Sequence, residues 1–456
     1  MRLVDALRLE PDKGDRAIHS VALVGAGGKT TALFRLAAEY LGPVIFLATT
    51  THLAVPQADR ADHHFIASTQ LEIEIALESD PHGSLLFTGP EIGGSRLAGL
   101  PGEALDALYQ VAQQRGICLL IEADGSRRRP LKAPADHEPA LPPWIELVIV
   151  VAGLSGLGRP LDAEWVHRPE RFAALSGLLP GSSVTPAGLI KVLTHPAGGL
   201  KDIPAHARRV ILLNQADDPL MQSQAAGMAA DLLSVFSQVV VASLQPLEPA
   251  AGEPVLAVYE RIAGIILAAG ASTRMGAPKQ LLNWQGQPLV RRAVQTARQA
   301  GLDPVVVVTG AHGEAVRQAL EEAAGTSLHV VDNLDWAAGQ SSSVIAGLHA
   351  LPAEAGAAVF LLCDQPLVSP ALVRSLVDRH AETLASIVAP LVDGQRGNPV
   401  LFDRRTFPDL LALTGDTGGR AIFSRFPVIW LHWHDRAVLL DIDTLDDYRR
   451  LQEVQA

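Results

Sequence analysis

Short apolar runs alternate with longer stretches of helical spacing along most of this chain. SVALVG (20–25), VIFLATT (44–50), SLLFTG (84–89), ICLLIEADG (117–125), ELVIVVAGL (146–154) and RVILLNQAD (209–217) each read as a buried strand. KTTALFRLAAEYL (29–41) and EALDALYQVAQQR (103–115) carry the spacing of amphipathic helices. After Val241 the alternation stops, and ASLQPLEPAAGEPVLAVYE (242–260), with three prolines and little periodicity, reads as a linker. A second series begins at Ile262 and continues with VVVVTG (305–310), LHVVDN (328–333) and VFLLCD (359–364). Continuous apolar strands separated by helices predict an α/β protein of two doubly wound, mainly parallel sheets. The expected boundaries are 1–245, a linker over 246–261, and 262–456.

Composition adds constraints rather than a new picture. With 456 residues the chain can bury a core in each domain, and 48% hydrophobic residues suit a globular protein. A formal net charge of -12 repels a nucleic-acid backbone, so nucleic acid is not an expected partner, whereas small anions can still be held by a local cationic cluster. The two cysteines, Cys118 and Cys363, fall in apolar runs of different domains and are not expected to pair. The opening MRLVDALRLEPDKGDR lacks the apolar centre of a secretory signal, and no run of about 18 apolar residues occurs, so a cytoplasmic protein without a membrane span is expected.

Two glycine loops follow apolar strands. GAGGKT (25–30) places Gly25, Gly27 and Gly28 before Lys29, Thr30 and Thr31 at a helix start. It lacks the first glycine of a full Walker A, because Leu23 stands there, but the same mechanics apply: backbone N–H groups around phosphate, Lys29 on the terminal phosphates, Thr30 toward Mg²⁺. Glu122 and Asp124 end another apolar run, as the acidic residue of a second nucleotide motif would. The expected occupant is ATP or GTP. The basic run 127–129 suits phosphate and a solvated face equally, and NQAD (214–217) lacks the lysine of a base-reading NKxD.

The second loop, LAAGASTRMGAPK (267–279), has the layout of a triphosphate cradle, with Arg274 and Lys279 at its far end. It resembles the LAAGxSxRMGxxK signature of molybdenum cofactor cytidylyltransferases. The resemblance extends through GQSSSVIAGL (339–348), LLCDQP (361–366), GNPVLF (397–402), GDTGGR (415–420) and LLDIDTLDDY (439–448), with Leu445 where relatives have proline. It implies a Rossmann-like nucleotidyltransferase that moves CMP from CTP to molybdopterin-bound molybdenum. Leu267, Ala268, Ala269, Gly270, Ser272, Arg274, Met275, Gly276, Lys279 and Ser343 would hold the nucleotide. Asp364 and Asp441 would carry Mg²⁺, with Asp443 as the alternative, while Asn398, Asp416 and Arg420 would face the acceptor. Ala269, where guanylyl relatives carry glycine, goes with cytidine. Another phosphorylated acceptor and a nucleotide-binding cofactor carrier stay open as alternatives.

VGAGGKTT, EADGS and VTPAG, within about 15–245, resemble the putative selenium-dependent hydroxylase accessory proteins. That resemblance implies a P-loop-like domain serving molybdenum hydroxylase maturation, with transient contact to an apo-hydroxylase as the expected macromolecular encounter.

Overall fold

Runs of Val, Ile and Leu can be buried at every position only in a strand covered on both faces, and the apolar runs fold that way. The computed structural model describes residues 1–9, 18–245, 253–321 and 328–455, and it divides into two units, Met1–Tyr259 and Glu260–Ala456.

The first unit is built on nine strands: β1 (Ser20–Gly25), β2 (Val44–Thr49), β3 (His63–Ile66), β4 (Gly83–Thr88), β5 (Cys118–Glu122), β6 (Leu147–Gly153), β7 (Arg208–Asn214), β8 (Gln238–Ala242) and β9 (Val255–Glu260). Their order across the sheet is β9-β8-β7-β6-β1-β5-β2-β4-β3, and the pairs from β8 through to β3 are parallel. Ala22 and Val24 enter one hydrophobic cluster, while Val21 and Leu23, equally buried, alternate with them toward the other face. The central position of β1 delivers the loop after Gly25 to the carboxyl edge of the sheet, where open α/β sheets bind ligands.

The second unit orders β10 (Ile262–Ala268), β11 (Val305–Thr309), β12 (Leu328–Asp332), β13 (Ala357–Leu362), β14 (Ile387–Val392), β15 (Gln395–Arg396) and β16 (Val400–Asp403) as β12-β11-β10-β13-β16-β14-β15, with β17 (Val428–His432) pairing β14. The half from β12 to β13 is parallel, whereas β16 runs antiparallel to both β13 and β14, a reversal not anticipated from the sequence. Ile262, Ile266 and Ala268 pack into one core and Ala263 and Ile265 into another, so both faces of β10 are covered.

The expected linker requires correction. Residues 246–252 lie outside the described residues, but 255–260 form β9 at the edge of the first sheet. Val255 and Val258 are buried there, and the backbone of Val255 donates to Met1 O at 3.1 Å. The prolines mask this strand because two of them precede the first β-branched residue by several positions, leaving only six residues of strand pattern. A fragment 1–245 should therefore be less stable than 1–260, by about 2–4 kcal/mol for two valines returned to water. Equal urea midpoints for the two fragments would show that β9 contributes nothing.

Candidate functional site

In the second unit the chain leaves β10 at Ala268 and turns through the glycine loop. Ser272 adopts positive φ (55°), and its Oγ accepts the Lys279 N–H at 3.0 Å, closing the loop on itself. Gln280, 1% exposed, donates from Nε2 to the carbonyls of Ala268 at 3.1 Å and Gly270 at 2.6 Å. This glutamine clamps both ends of the loop. It was missed in the sequence because it follows the motif, although a polar residue between Lys279 and Leu281 was a visible signal. Leu267 is half-buried, Ala269 and Met275 are buried, and Gly270 and Gly276 are exposed with open space where a Cβ would stand.

The loop aims Lys279 at Asp364, two residues past β13. Its ammonium pairs directly with Asp364 Oδ2 and lies 3.6 Å from Asp443 Oδ1. Burial opposes the lysine charge, yet Asp364, the hydrogen bond to it, and Asp443 outweigh burial and raise its pKa. Arg274 stands farther out, 3.5 Å from Asp443 Oδ2, with its side chain 74% exposed. The two acidic segments are tied together by the Ile442 N–H, which donates to Asp364 O at 3.0 Å. Asp441 is an exposed residue, but desolvation of its carboxyl, then Asp364 and Asp443, raise its pKa, against a hydrogen bond from Gln365 Nε2 to its Oδ1.

The donor set suits a hard cation. Asp364 Oδ1 is buried without a hydrogen-bond partner among the described residues, so Lys279 satisfies only half of this carboxylate. Carboxylate oxygens from Asp364 and Asp441, with Asp443 beside them, are the ligand type Mg²⁺ takes.

Opposite the loop, the helix Gln340–His349 begins at Gly339, whose backbone (φ 113°) passes so close to Gly415 that a Cβ would meet its carbonyl carbon at 2.5 Å. Ser341 Oγ donates to Gly415 O at 2.7 Å, and Asp416 Oδ1 accepts the Gln340 N–H at 3.2 Å. Asp416 thus caps this helix. Ser342 and Ser343 accept from Asn333 Nδ2 at 2.8 and 3.0 Å, so Ser343 is buried in a structural bond. Asn398 is half-buried and Arg420 exposed. The loop just after Asn333 exposes Leu334 (89%) and Trp336 (37%), and Trp336 Cβ and Ala269 both crowd the position where Gly310 would carry a Cβ. An exposed tryptophan next to the glycine loop was not anticipated.

One further group in this unit, Glu260, His380 and Asp403, brings potential ligand atoms within 4.8 Å of one another. His380 Nε2 lies 2.8 Å from Asp403 Oδ2, and Arg405 takes Oδ1, which accounts for it as a buried joint.

In the first unit Gly25, Gly27 and Gly28 all hold positive φ. At Gly27 a Cβ would meet Gly153 N at 2.4 Å, and at Gly28 it would meet Asn214 Nδ2 at 2.2 Å, so only glycine fits. The helix Lys29–Glu39 then starts without a side-chain cap. Lys29 is 3% exposed and donates to Gly25 O at 2.7 Å, with Asp124 Oδ1 at 3.3 Å and Glu122 Oε1 at 3.9 Å. Thr30 Oγ1 donates to Glu122 Oε2 at 2.7 Å, and Thr31 is half-buried beside it. Burial raises the Glu122 pKa most, opposed by Lys29 and Thr30. Asp124 also accepts the Gly25 N–H at 3.1 Å and Lys132 Nζ at 2.6 Å.

Lys132, Glu138 and Arg168 extend this network and were missed because they come from separate short segments. Lys132 Nζ lies 2.8 Å from Glu138 Oε2, which Arg168 Nη1 also reaches at 2.8 Å. Positive φ at Arg127 (50°), Arg128 (60°) and Gln215 (63°) adds strained backbone after β5 and β7, beside the cradle.

Residues 264–432 match the MobA-like NTP transferase domain, and residues 21–170 match the YqeC protein family. The uncharacterized protein YqeC of Escherichia coli (strain K12) is 35% identical over 236 residues, 49% of this chain and 87% of that protein. Nicotine blue oxidoreductase of Paenarthrobacter nicotinovorans is 33% identical over 201 residues, 42% of this chain and 96% of that protein. A probable molybdenum cofactor guanylyltransferase of Bacillus cytotoxicus is 28% identical over 139 residues, 30% of this chain and 64% of its own length. Among solved structures, Rv0371c from Mycobacterium tuberculosis H37Rv has 35% identity and a TM-score of 0.38, covering 42% of this chain and 98% of its own.

The Glu138 network has an acid signature. Burial opposes its charge, but the hydrogen bonds from Arg168 and Lys132 outweigh it and hold the pKa down to about 2. A folded pKa below the unfolded value of about 4.3 stabilises the unit above that pH, and the gain is lost as pH falls toward 2. Glu138→Gln should be less stable at neutral pH and lose less stability across that acid interval. Parallel stability-against-pH curves for the two proteins would contradict the pairing.

Proposed function

Because the chain belongs to the MobA-like NTP transferase family in its second unit and to the YqeC family in its first, we propose that it is a cytidylyltransferase of molybdenum cofactor maturation. In this reading a phosphate oxygen of Mo-molybdopterin attacks the α-phosphorus of CTP, the α–β bridge breaks, and pyrophosphate leaves. The observation that carries it is the half-satisfied Asp364, paired with Lys279 on one oxygen and orphaned on the other, at the carboxyl end of a central strand.

Asp364 and Asp441 would hold Mg²⁺, whose positive charge would offset the repulsion among the phosphates. The protein's own part is electrostatic and positional. Lys279 has three N–H donors, so it can stay on Asp364 while turning another toward the triphosphate. Arg274, held among the described residues by a 3.5 Å contact to Asp443 at the surface, can swing to fork onto the outer phosphates. The backbone of 268–276, clamped by Gln280, offers N–H groups without rearranging.

The choice of CTP rests on Ala269, whose position against Gly310 and near Trp336 makes its methyl a wall of the loop rather than a solvent-facing group. Trp336 and Leu334 form an apolar lip suited to a flat heterocycle such as a pterin. Asn398 and Arg420 are proposed on the acceptor side. The first unit would bind ATP or GTP through Gly25, Gly27, Gly28, Lys29, Thr30 and Thr31, with Asp124 and Glu122 toward its metal, and would serve handover to an apo-hydroxylase in the cytoplasm.

The likeness to nicotine blue oxidoreductase supports a second reading, an oxidoreductase activity of the same unit. Pyrophosphate release separates the two, since an oxidoreduction produces none.

With Mg²⁺ and molybdenum cofactor, pyrophosphate should form from CTP much faster than from GTP, ATP or UTP. Asp364→Asn should lose at least about a hundredfold in turnover while its circular dichroism stays that of wild type. A GTP preference would end the cytidylyl reading, and a fully active Asp364→Asn would remove this carboxylate from the site. Lys29→Ala should abolish ATP or GTP binding by the first unit and leave CMP transfer within about twofold; loss of transfer would show the two sites coupled.

A further inference from the structure

Gln365 follows Asp364 and is 7% exposed. Its Nε2 donates to Asp441 Oδ1, which fixes the amide: the reverse orientation would set a carbonyl oxygen against a carboxylate. Fixed this way, Oε1 points away from Asp441, and it is buried with no hydrogen-bond partner among the described residues. Arg292, on the helix Leu289–Gln299, has a buried Nε that also lacks a partner among the described residues. Both residues line one small cavity of about 10 Å³, whose walls include Leu289, Leu361 and Pro399. A buried acceptor and a buried donor without partners in one cavity is a rare arrangement, because each is costly alone. The volume is about that of a single water, which needs two or more polar partners to stay.

We infer that Arg292 is a positioning residue for the metal carboxylates: its Nε–H, through one bound water, holds Gln365 Oε1, and Gln365 Nε2 in turn sets the orientation of Asp441. The chain of contacts reaches the site from behind, and neither Arg292 nor Gln365 touches substrate. Thr296 and Cys363 also line the cavity. Arg292 Nε is the buried donor there without a hydrogen-bond partner among the described residues, and so it is the one matched to the amide oxygen. Outer partners of metal ligands orient them, and their loss typically weakens metal binding by about 10–100-fold.

This inference rests on the reading of Asp364 and Asp441 as metal ligands, and its test is read on metal binding so that it does not need turnover. Full-length wild type, Gln365→Met, Arg292→Met, Arg292→Lys and the double methionine variant are titrated with Mn²⁺ by calorimetry, after thermal melts show each is folded. Gln365→Met and Arg292→Met should each weaken Mn²⁺ by about tenfold. Arg292→Lys should recover most of the loss, and the double variant should be no weaker than Gln365→Met alone. In CMP transfer the same variants should raise the Mg²⁺ half-saturation by a similar factor and leave KM for CTP within about twofold.

Undiminished Mn²⁺ affinity in both single variants overturns the inference, as does an Arg292→Met effect that persists in full on the Gln365→Met background. If the single variants behave as expected but wild type releases no pyrophosphate from any nucleotide, the positioning chain stands and the transferase reading falls. Should Arg292→Met melt at a lower temperature, Arg292→Lys decides: a folded lysine variant with wild-type Mn²⁺ affinity supports the chain, and one as weak as Gln365→Met contradicts it.

Discussion

A carboxylate at the end of a buried strand, neutralised on one oxygen and unsatisfied on the other, is the constraint that organises the second unit. Asp364 pairs with Lys279 on one oxygen, and Gln280 and Ser272 hold the glycine loop in the turn that brings Lys279 there. The Ile442 N–H bond to Asp364 O draws the second acidic segment to the same place. Three aspartates and one lysine thus meet where mutual repulsion would otherwise drive them apart. Carboxylates held this close repel one another, and a bound cation would relieve that repulsion.

The first unit solves a similar problem in the opposite way. Lys29, Asp124, Lys132, Glu138 and Arg168 alternate in sign along one partly buried chain, and each charge has a partner. Lys29 is held by Gly25 O and two carboxylates, so a phosphate entering the cradle must exchange places with contacts already made. The cradle is preshaped by glycines that admit no side chain, but its lysine is parked. Binding there would be coupled to a rearrangement of the Asp124 contacts, whereas in the second unit Asp364 Oδ1 has no hydrogen-bond partner among the described residues.

Much of this was legible in the sequence because the signals were local. The strands that carry both glycine loops are uninterrupted apolar runs, and Asp364 follows one of them directly. Lys279 was read from the layout of the glycine loop and Asp441 from motif resemblance; Lys279 pairs with Asp364, and the Asp441 segment is tied to it through the Ile442 N–H. Ser343 and Asp416 were read as ligand contacts, and in the structure they accept hydrogen bonds from Asn333 and from a helix start. Short polar residues at a helix terminus serve capping and ligands with the same chemistry, so the sequence does not separate the roles. The edge strand β9 was hidden by prolines, and the antiparallel β16 depends on pairing partners far apart in the chain. Lys132, Glu138, Arg168 and Arg292 were illegible because their meaning lies in long-range contacts that no local pattern encodes.

The central claim is that this charge cluster transfers a cytidylyl group. Its most direct test is to incubate the full chain with CTP labelled at the α-phosphorus, Mg²⁺ and molybdenum cofactor, and to determine the mass and label content of the pterin product. The account predicts a product heavier than the starting cofactor by one CMP residue, carrying the label, with one pyrophosphate released per molecule formed. An unmodified pterin, or a dinucleotide formed only when GTP replaces CTP, would contradict it.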